Sequence, residues 1–200
     1  MDTTWIPGEP VTFVERPGGR VAVGLLGPAD GAPLVLVPGL GDTRGQYREL
    51  APKLAASGFR VLAMDLRGHG DSDVTFTDHS AQAASEDVAA VLDLAGRPAV
   101  VVGNSFGGRV VEYAAESQPA RVRGLVLVAP FTRDREVSRG LSLAMRVLFA
   151  RPWGAWAWGK YYKSLYPTRK PADLADYVRS LTANLSEKGR LEALQATLSS

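Results

Sequence analysis

Four short, almost unbroken apolar runs frame this chain: LVLV at 34–37, RVLAMD at 60–65, AVVVG at 99–103 and GLVLVA at 124–129. A strand with one wet face alternates apolar and polar side chains, whereas a run without alternation suits a strand buried on both faces. Between the runs the period becomes that of a helix. Thr43 and Gln46 have capping-box spacing ahead of Tyr47, Leu50 and Leu54, and Pro52 implies a kink or a late start. Asp78 reads as the N-cap of a stripe made by Ala81, Ala84, Val88, Val91, Leu92 and Ala95. Phe106, Val110, Tyr113 and Ala114 give a third face, which Pro119 limits. Strands and helices alternating in this way predict an α/β fold around a mostly parallel sheet. Ahead of it, VTFVE (11–15) and RVAVGLL (20–26) flank Pro17, Gly18 and Gly19 and read as an antiparallel hairpin.

After Pro130 the strand pattern stops. The rest of the chain is a set of aromatic-rich and arginine-rich helical pieces broken at Pro152, Pro167 and Pro171, ending in an amphipathic stretch with Leu191, Leu194 and Leu198. The chain therefore divides into a core at 1–134 and a helical region at 135–200, within what 200 residues can bury as one good core. The absence of cysteine excludes disulfides, thiolate metal sites and cysteine nucleophiles. His69 and His79 are the only histidines, which restricts the candidates for a general base near neutral pH. No apolar run reaches the roughly 20 residues that cross a bilayer. The N-terminal MDTTWIPGEP lacks a basic start before an apolar core, so the expectation is a cytoplasmic protein without a membrane partner.

Charge is uneven although the net value is only +2. Residues 1–130 carry 11 Lys/Arg against 15 Asp/Glu, and residues 131–200 carry 12 against 6. A basic tail with Trp153, Trp156, Trp158, Tyr161 and Tyr162 raises the question of an anionic surface or nucleic acid. An amphipathic helical unit with solvated Arg and Lys accounts for the same pattern, and no nucleic-acid partner is expected.

Chemistry concentrates in the glycine-rich turns. Residues 103–108 have the G-x-x-x-x-G spacing of a phosphate loop, but Arg109 stands where that loop needs Lys and Val110 where it needs a magnesium-binding hydroxyl. In PGLGDTRGQ, Gly39, Gly41 and Gly45 follow a strand, with Asp65 at ribose-binding distance, as in a dinucleotide-binding oxidoreductase. Against that reading, Arg44 occupies the third glycine's place and a hairpin precedes the unit. Gly103-Asn104-Ser105-Phe106-Gly107 satisfies the nucleophile elbow G-x-S-x-G, with the strand before it and helix after it that the motif needs. The glycines on either side let strand and helix approach across the sharp turn that exposes Ser105.

The series PLVLVPGLGDTRGQYRELAPKLAASGFRVLAMDLRGHGDSD, then a helix, then VVVGNSFGG and GLVLVAPF, resembles the α/β-hydrolase superfamily, in its capped group of esterases, lipases and lactonases. The resemblance runs from about residue 11 to about residue 135 and implies an α/β-hydrolase-type sheet with a helical cap. It implies a serine hydrolase acting on ester or related acyl bonds through Ser105. The oxyanion would be received by the backbone N–H groups of Phe106 and, by position in the loop after the third strand, Leu40. Pro38 stands where the family often has His. Asp134 occupies an acid position used by some members, while His69, set among Asp65, Asp71 and Asp73, falls in a stretch that is a structural turn in the family and lacks metal-ligand spacing. His79, at a helix start, is expected to be exposed.

In such enzymes the acid and then the histidine follow the serine, yet no histidine follows residue 79. The family's last two strands also have no counterpart, so the resemblance implies a hydrolase lacking its C-terminal part, weakly active or inactive as it stands. A non-catalytic ligand-binding protein on the same scaffold is the alternative. Expected partners are a small acyl or ester substrate, with Phe149 and the tail aromatics as an apolar wall, and no metal or other cofactor. An unfinished sheet edge also invites oligomerisation or aggregation.

Overall fold

A computed structural model describes residues 5–130 and 147–200. Six strands form one sheet in the order β1-β2-β4-β3-β5-β6: β1 (Val11–Arg16), β2 (Gly19–Leu26), β3 (Ala32–Val37), β4 (Phe59–Met64), β5 (Ala99–Asn104) and β6 (Val122–Val128). The first two make the expected hairpin, and β2 also runs antiparallel to β4. From β4 through β3 and β5 to β6 all pairing is parallel.

The unbroken apolar runs are explained by burial on both faces. Val35 and Val37 of β3 point with Leu62, Met64 and Val101 into a core closed by α2 (Ala81–Ala95) and α3 (Phe106–Ser117). Leu34 and Leu36 point the other way, with Val61, Ala63 and Val102, toward α1 (Leu50–Ala56). Helix α2 is capped by Ser80, whose hydroxyl accepts from the Ala83 N–H, and not by Asp78. The Asp78 carboxylate accepts instead from the Ser80 N–H at 2.8 Å, just ahead of the helix. Pro52 lies in the first turn of α1, where it costs no helical hydrogen bond.

The edge strand β6 differs from the inner ones. Leu125, Val126, Leu127 and Val128 are 38–46% exposed, and among the described residues no strand pairs with its outer side.

Helices α4 (Gly154–Ser164), α5 (Leu174–Ser186) and α6 (Arg190–Ser199) carry a separate apolar cluster built from Phe149, Trp158, Tyr162, Tyr177, Leu181 and Leu194 among others. Leu40, from the loop after β3, packs against this cluster. Further ties run from Asn184 to the Gly70 carbonyl and from Arg48 to Asp173. No helix among the described residues is long and apolar enough to cross a membrane.

Candidate active site

Ser105 sits between the last residue of β5 and the first of α3 with φ 52° and ψ −116°, a conformation that L-residues avoid. Such backbone costs of order 1–3 kcal/mol and persists only where its surroundings over-determine it. Here the Ser105 N–H donates to the Val128 carbonyl at 2.9 Å, and the Ser105 carbonyl accepts from the Gly108 N–H at 3.0 Å. The Asn104 side-chain amide reaches the same Val128 carbonyl. The two elbow glycines are required by contact. A Cβ on Gly103 would stand 2.7 Å from the Gly107 carbonyl carbon, and one on Gly107 would stand 2.6 Å from the Val37 oxygen and run into that of Pro38.

The side chain of Ser105 has no hydrogen-bond partner among the described residues. Its neighbour Phe106 opens the twelve-residue α3, so the Phe106 N–H is one of the donors a helix leaves unsatisfied at its N-terminus, where partial positive charge favours an anion.

The loop after β3 comes up beside the elbow: a Cβ on Gly39 would lie 3.4 Å from Ser105 Cβ. Its amides divide into two sets. Gly39 N–H donates to Gln46 Oε1 at 3.0 Å, Asp42 N–H to the Gly39 carbonyl, Thr43 N–H to Asp42 Oδ1 and Arg44 N–H to Asp65 Oδ1. The amides of Leu40 and Gly41 have no partner among the described residues. Gln46 thus serves the loop rather than completing a capping box, while Thr43 caps the short 3-10 turn at Arg44–Tyr47.

Residues proposed for other chemistry are accounted for differently. Asp65, the ribose-binding acid of the dinucleotide reading, is fully buried and holds the Arg44 guanidinium, the Arg44 N–H and the Asp71 N–H. Arg44 is itself completely buried between Asp65, Glu9 and Asp71. His69 is buried in the turn after β4, its Nδ1–H donating to the Arg67 carbonyl at 2.9 Å, and burial pushes its pKa down to about 4. The expectation that His79 is exposed is corrected. It is only 7% exposed, packed over Gly68 with Nε2–H donating to the Phe76 carbonyl. Asp134 lies outside the described residues. No group of three or more His, Cys, Asp or Glu side chains among the described residues is arranged to hold a metal.

One cluster gave no signal in the sequence. Asp42 is buried, and its carboxylate accepts from the hydroxyls of Tyr162, at 2.7 Å, and Tyr177. Burial raises the Asp42 pKa to about 6 against the opposing pull of these donors. Both phenols are held protonated, by burial first and by the neighbouring carboxylate second, so they act as donors.

Comparison with known proteins agrees with this architecture. A family model described as the alpha/beta hydrolase fold matches residues 32–200. A "putative non-heme haloperoxidase" of Mycobacterium phage D29 is 37% identical over 118 residues, 58% of this chain and 42% of that protein. A "pimeloyl-[acyl-carrier protein] methyl ester esterase" of Neisseria meningitidis is 38% identical over 110 residues, 54% of this chain and 34% of its own length. Among solved structures, the esterase RhEst1 from Rhodococcus sp. ECU1013 superposes with a TM-score of 0.74 at 28% identity, covering 95% of this chain and 72% of that one. The chain thus matches well under half the length of these two curated relatives.

Proposed function

Since this chain belongs to the alpha/beta hydrolase fold family, we propose that it forms the nucleophile and oxyanion portion of a serine hydrolase acting on esters or related acyl compounds. The observation that carries the reading is the strained Ser105, followed by the Phe106 amide at the start of α3 and approached at Gly39 by the loop that carries the unpartnered Leu40 amide. In the reaction, Ser105 Oγ attacks the carbonyl carbon and its proton leaves. The carbonyl π pair moves onto oxygen, where the two amides receive the charge. Collapse of that intermediate expels the alcohol, which takes up a proton, and leaves an acyl ester on Ser105. Water then attacks the ester, releasing the carboxylic acid and restoring the hydroxyl. Neither His69 nor His79 hydrogen-bonds Ser105, and both are buried in the turns between β4 and α2, each with one ring nitrogen bonded to a backbone carbonyl there. The base belongs to a part of the enzyme beyond these residues, with Asp134 as a candidate acid to orient it. The helices after residue 147 act as a cap whose aromatic side chains favour an apolar acyl group.

Labelling with a fluorophosphonate tests this, because the oxygen on its phosphorus is received by the same two amides as the ester oxyanion, and their contribution survives the loss of the base as a slow residual reaction. The expected result is one adduct, located on Ser105 by mass spectrometry and absent from Ser105→Ala. A folded chain that takes up no more reagent than the alanine variant overturns the proposal. It would favour the second reading, a ligand-binding protein without turnover, for which the lack of a hydrogen bond from either histidine to Ser105 argues.

A further inference from the structure

The loop that carries the Leu40 amide is fastened to side chains more than a hundred residues away. Trp158 Nε1–H donates to the Gly41 carbonyl at 2.9 Å, and its ring fills the space where a Cβ on Gly41 would stand. On the next residue, the Asp42 carboxylate accepts from Tyr162 and Tyr177, separated from it by 120 and 135 positions. The Leu40 side chain packs into the same helical cluster. Arg48 closes the arrangement from the other side, its guanidinium 4.0 Å above the Tyr177 ring and paired with Asp173 ahead of α5. Burying a carboxylate to receive two phenols is costly compared with apolar packing of the same volume. What it provides is direction: both acceptor oxygens of Asp42 are fixed, and the backbone between Leu40 and Asp42 is fixed with them.

We propose that Trp158, Tyr162 and Tyr177 are positioning residues which, through the Gly41 carbonyl and the Asp42 carboxylate, aim the Leu40 amide at the oxyanion. Seating of α4 and α5 and assembly of the oxyanion hole are then one event. A chain whose helices are unseated keeps its elbow but has half its oxyanion site. This inference rests on the reading of Ser105 as nucleophile, and its test is built so that the two can fail separately.

The rate of Ser105 phosphonylation is measured in the 200-residue chain at saturating and sub-saturating fluorophosphonate, for wild type, Tyr162→Phe, Tyr177→Phe and the double variant. Loss of an oxyanion donor costs about a hundredfold or more. The maximal rate should therefore fall about tenfold for either single variant and about a hundredfold for the pair, with the half-saturating concentration unchanged. Leu181→Ala, in the same helical cluster, makes no hydrogen bond to loop 38–43. It should lower the melting temperature and leave the maximal rate alone. Equal rates for wild type and folded tyrosine variants overturn the proposal, as does an equal slowing by Leu181→Ala. Amide exchange at Asp42 and Thr43, both hydrogen-bonded in the loop, supplies a readout that needs no reactive serine. It should accelerate in the tyrosine variants. If wild type labels no faster than Ser105→Ala, the serine reading fails alone, and unchanged exchange at these two amides then sinks the positioning role separately.

Discussion

The loops after β5 and β3 leave neighbouring parallel strands and arrive at the same point, but they are held there by different means. At the elbow the fixing is local: a left-handed backbone at Ser105, two glycines that a Cβ would ruin, and hydrogen bonds to the end of the adjacent strand. The β3 loop is fixed at long range, by an indole and two phenols from helices that come last in the chain. A locally determined loop is specified as soon as its strand pairs form, whereas a remotely determined one waits for a second layer to dock. Strain is stored in the first, and a buried charge in the second.

The comparison is most easily broken at Gly107, where the two loops touch. A Cβ there meets the carbonyl oxygens of Val37 and Pro38, which are backbone and have no rotamer to change. Gly107→Ala should destabilise the fold by about 3 kcal/mol, at the upper end of overpacking costs. Because it pushes the β3 loop from the elbow, it should also abolish Ser105 labelling at temperatures where the chain remains folded. Gly124→Ala is the matched control, since its Cβ would meet only Val100 Cγ2 at 3.9 Å. Denaturant melts and labelling of both variants check this. A Gly107→Ala chain with wild-type labelling would show that elbow and loop are not seated on one another.

A second test asks whether the β3 loop does hold a buried charge. In the folded chain the Asp42 carboxyl is pushed up to about 6 by burial, despite the lowering effects of Tyr177, Tyr162, the Thr43 amide and Arg48. Its unperturbed value is 3.8. A raised pKa means that the fold holds the proton more tightly than the unfolded chain does. Its contribution to stability is fully present below 3.8 and is lost as pH rises through 6. His69 runs the other way: burial lowers it from 6.5 to about 4, so its contribution is present above 6.5 and is lost as pH falls through 4. The two slopes oppose one another between these values. Asp42→Asn removes only the first, while Glu9, Asp65, His69 and His79 cancel in the difference. The variant should gain on wild type by up to about 3 kcal/mol as pH rises from about 4 to about 7, added to a constant loss from the missing acceptor. Urea melts at both ends of this range measure it, and a flat difference would mean that burial does not outweigh the donors around Asp42 and that its pKa is not raised by folding.

The same contrast explains what was legible in the sequence. The inner strands and the elbow were readable because their causes lie within a few residues: continuous apolar runs for two buried faces, and small residues flanking a serine. LVLV at 34–37 and LVLV at 125–128 are identical strings, however, and one is buried while the other is 38–46% exposed. Local sequence states that a strand can be covered, not that it is. Arg44 and Asp65, read as parts of an imperfect nucleotide fingerprint, are an ion pair because the loop after β3 folds back over the end of β4. His79 was misplaced for a similar reason, since the helix starts at Ala81 and the turn before it packs down on Gly68. Asp42 gave no signal because a lone acid in a glycine-rich loop looks ordinary until its tyrosine partners arrive from 120 and 135 residues away.

The smallest expected effect sharpens the comparison most. Gln46 gives the β3 loop a side-chain tie from its own neighbourhood, Oε1 accepting the Gly39 N–H at 3.0 Å from the adjoining short turn. Gln46→Met keeps the length of the side chain and removes the acceptor, leaving a partly buried amide without its partner at a cost of about 1 kcal/mol. If the remote contacts govern the loop, residues 41 and 42 stay where Trp158 and the two tyrosines hold them. Ser105 labelling should then slow by no more than about threefold, less than the energy of a single hydrogen bond would allow. If the loop is instead held as the elbow is, by what lies next to it, Gln46→Met will slow labelling more than either Tyr162→Phe or Tyr177→Phe. Ranking those three rates under one set of conditions decides between local and remote control of the Leu40 amide.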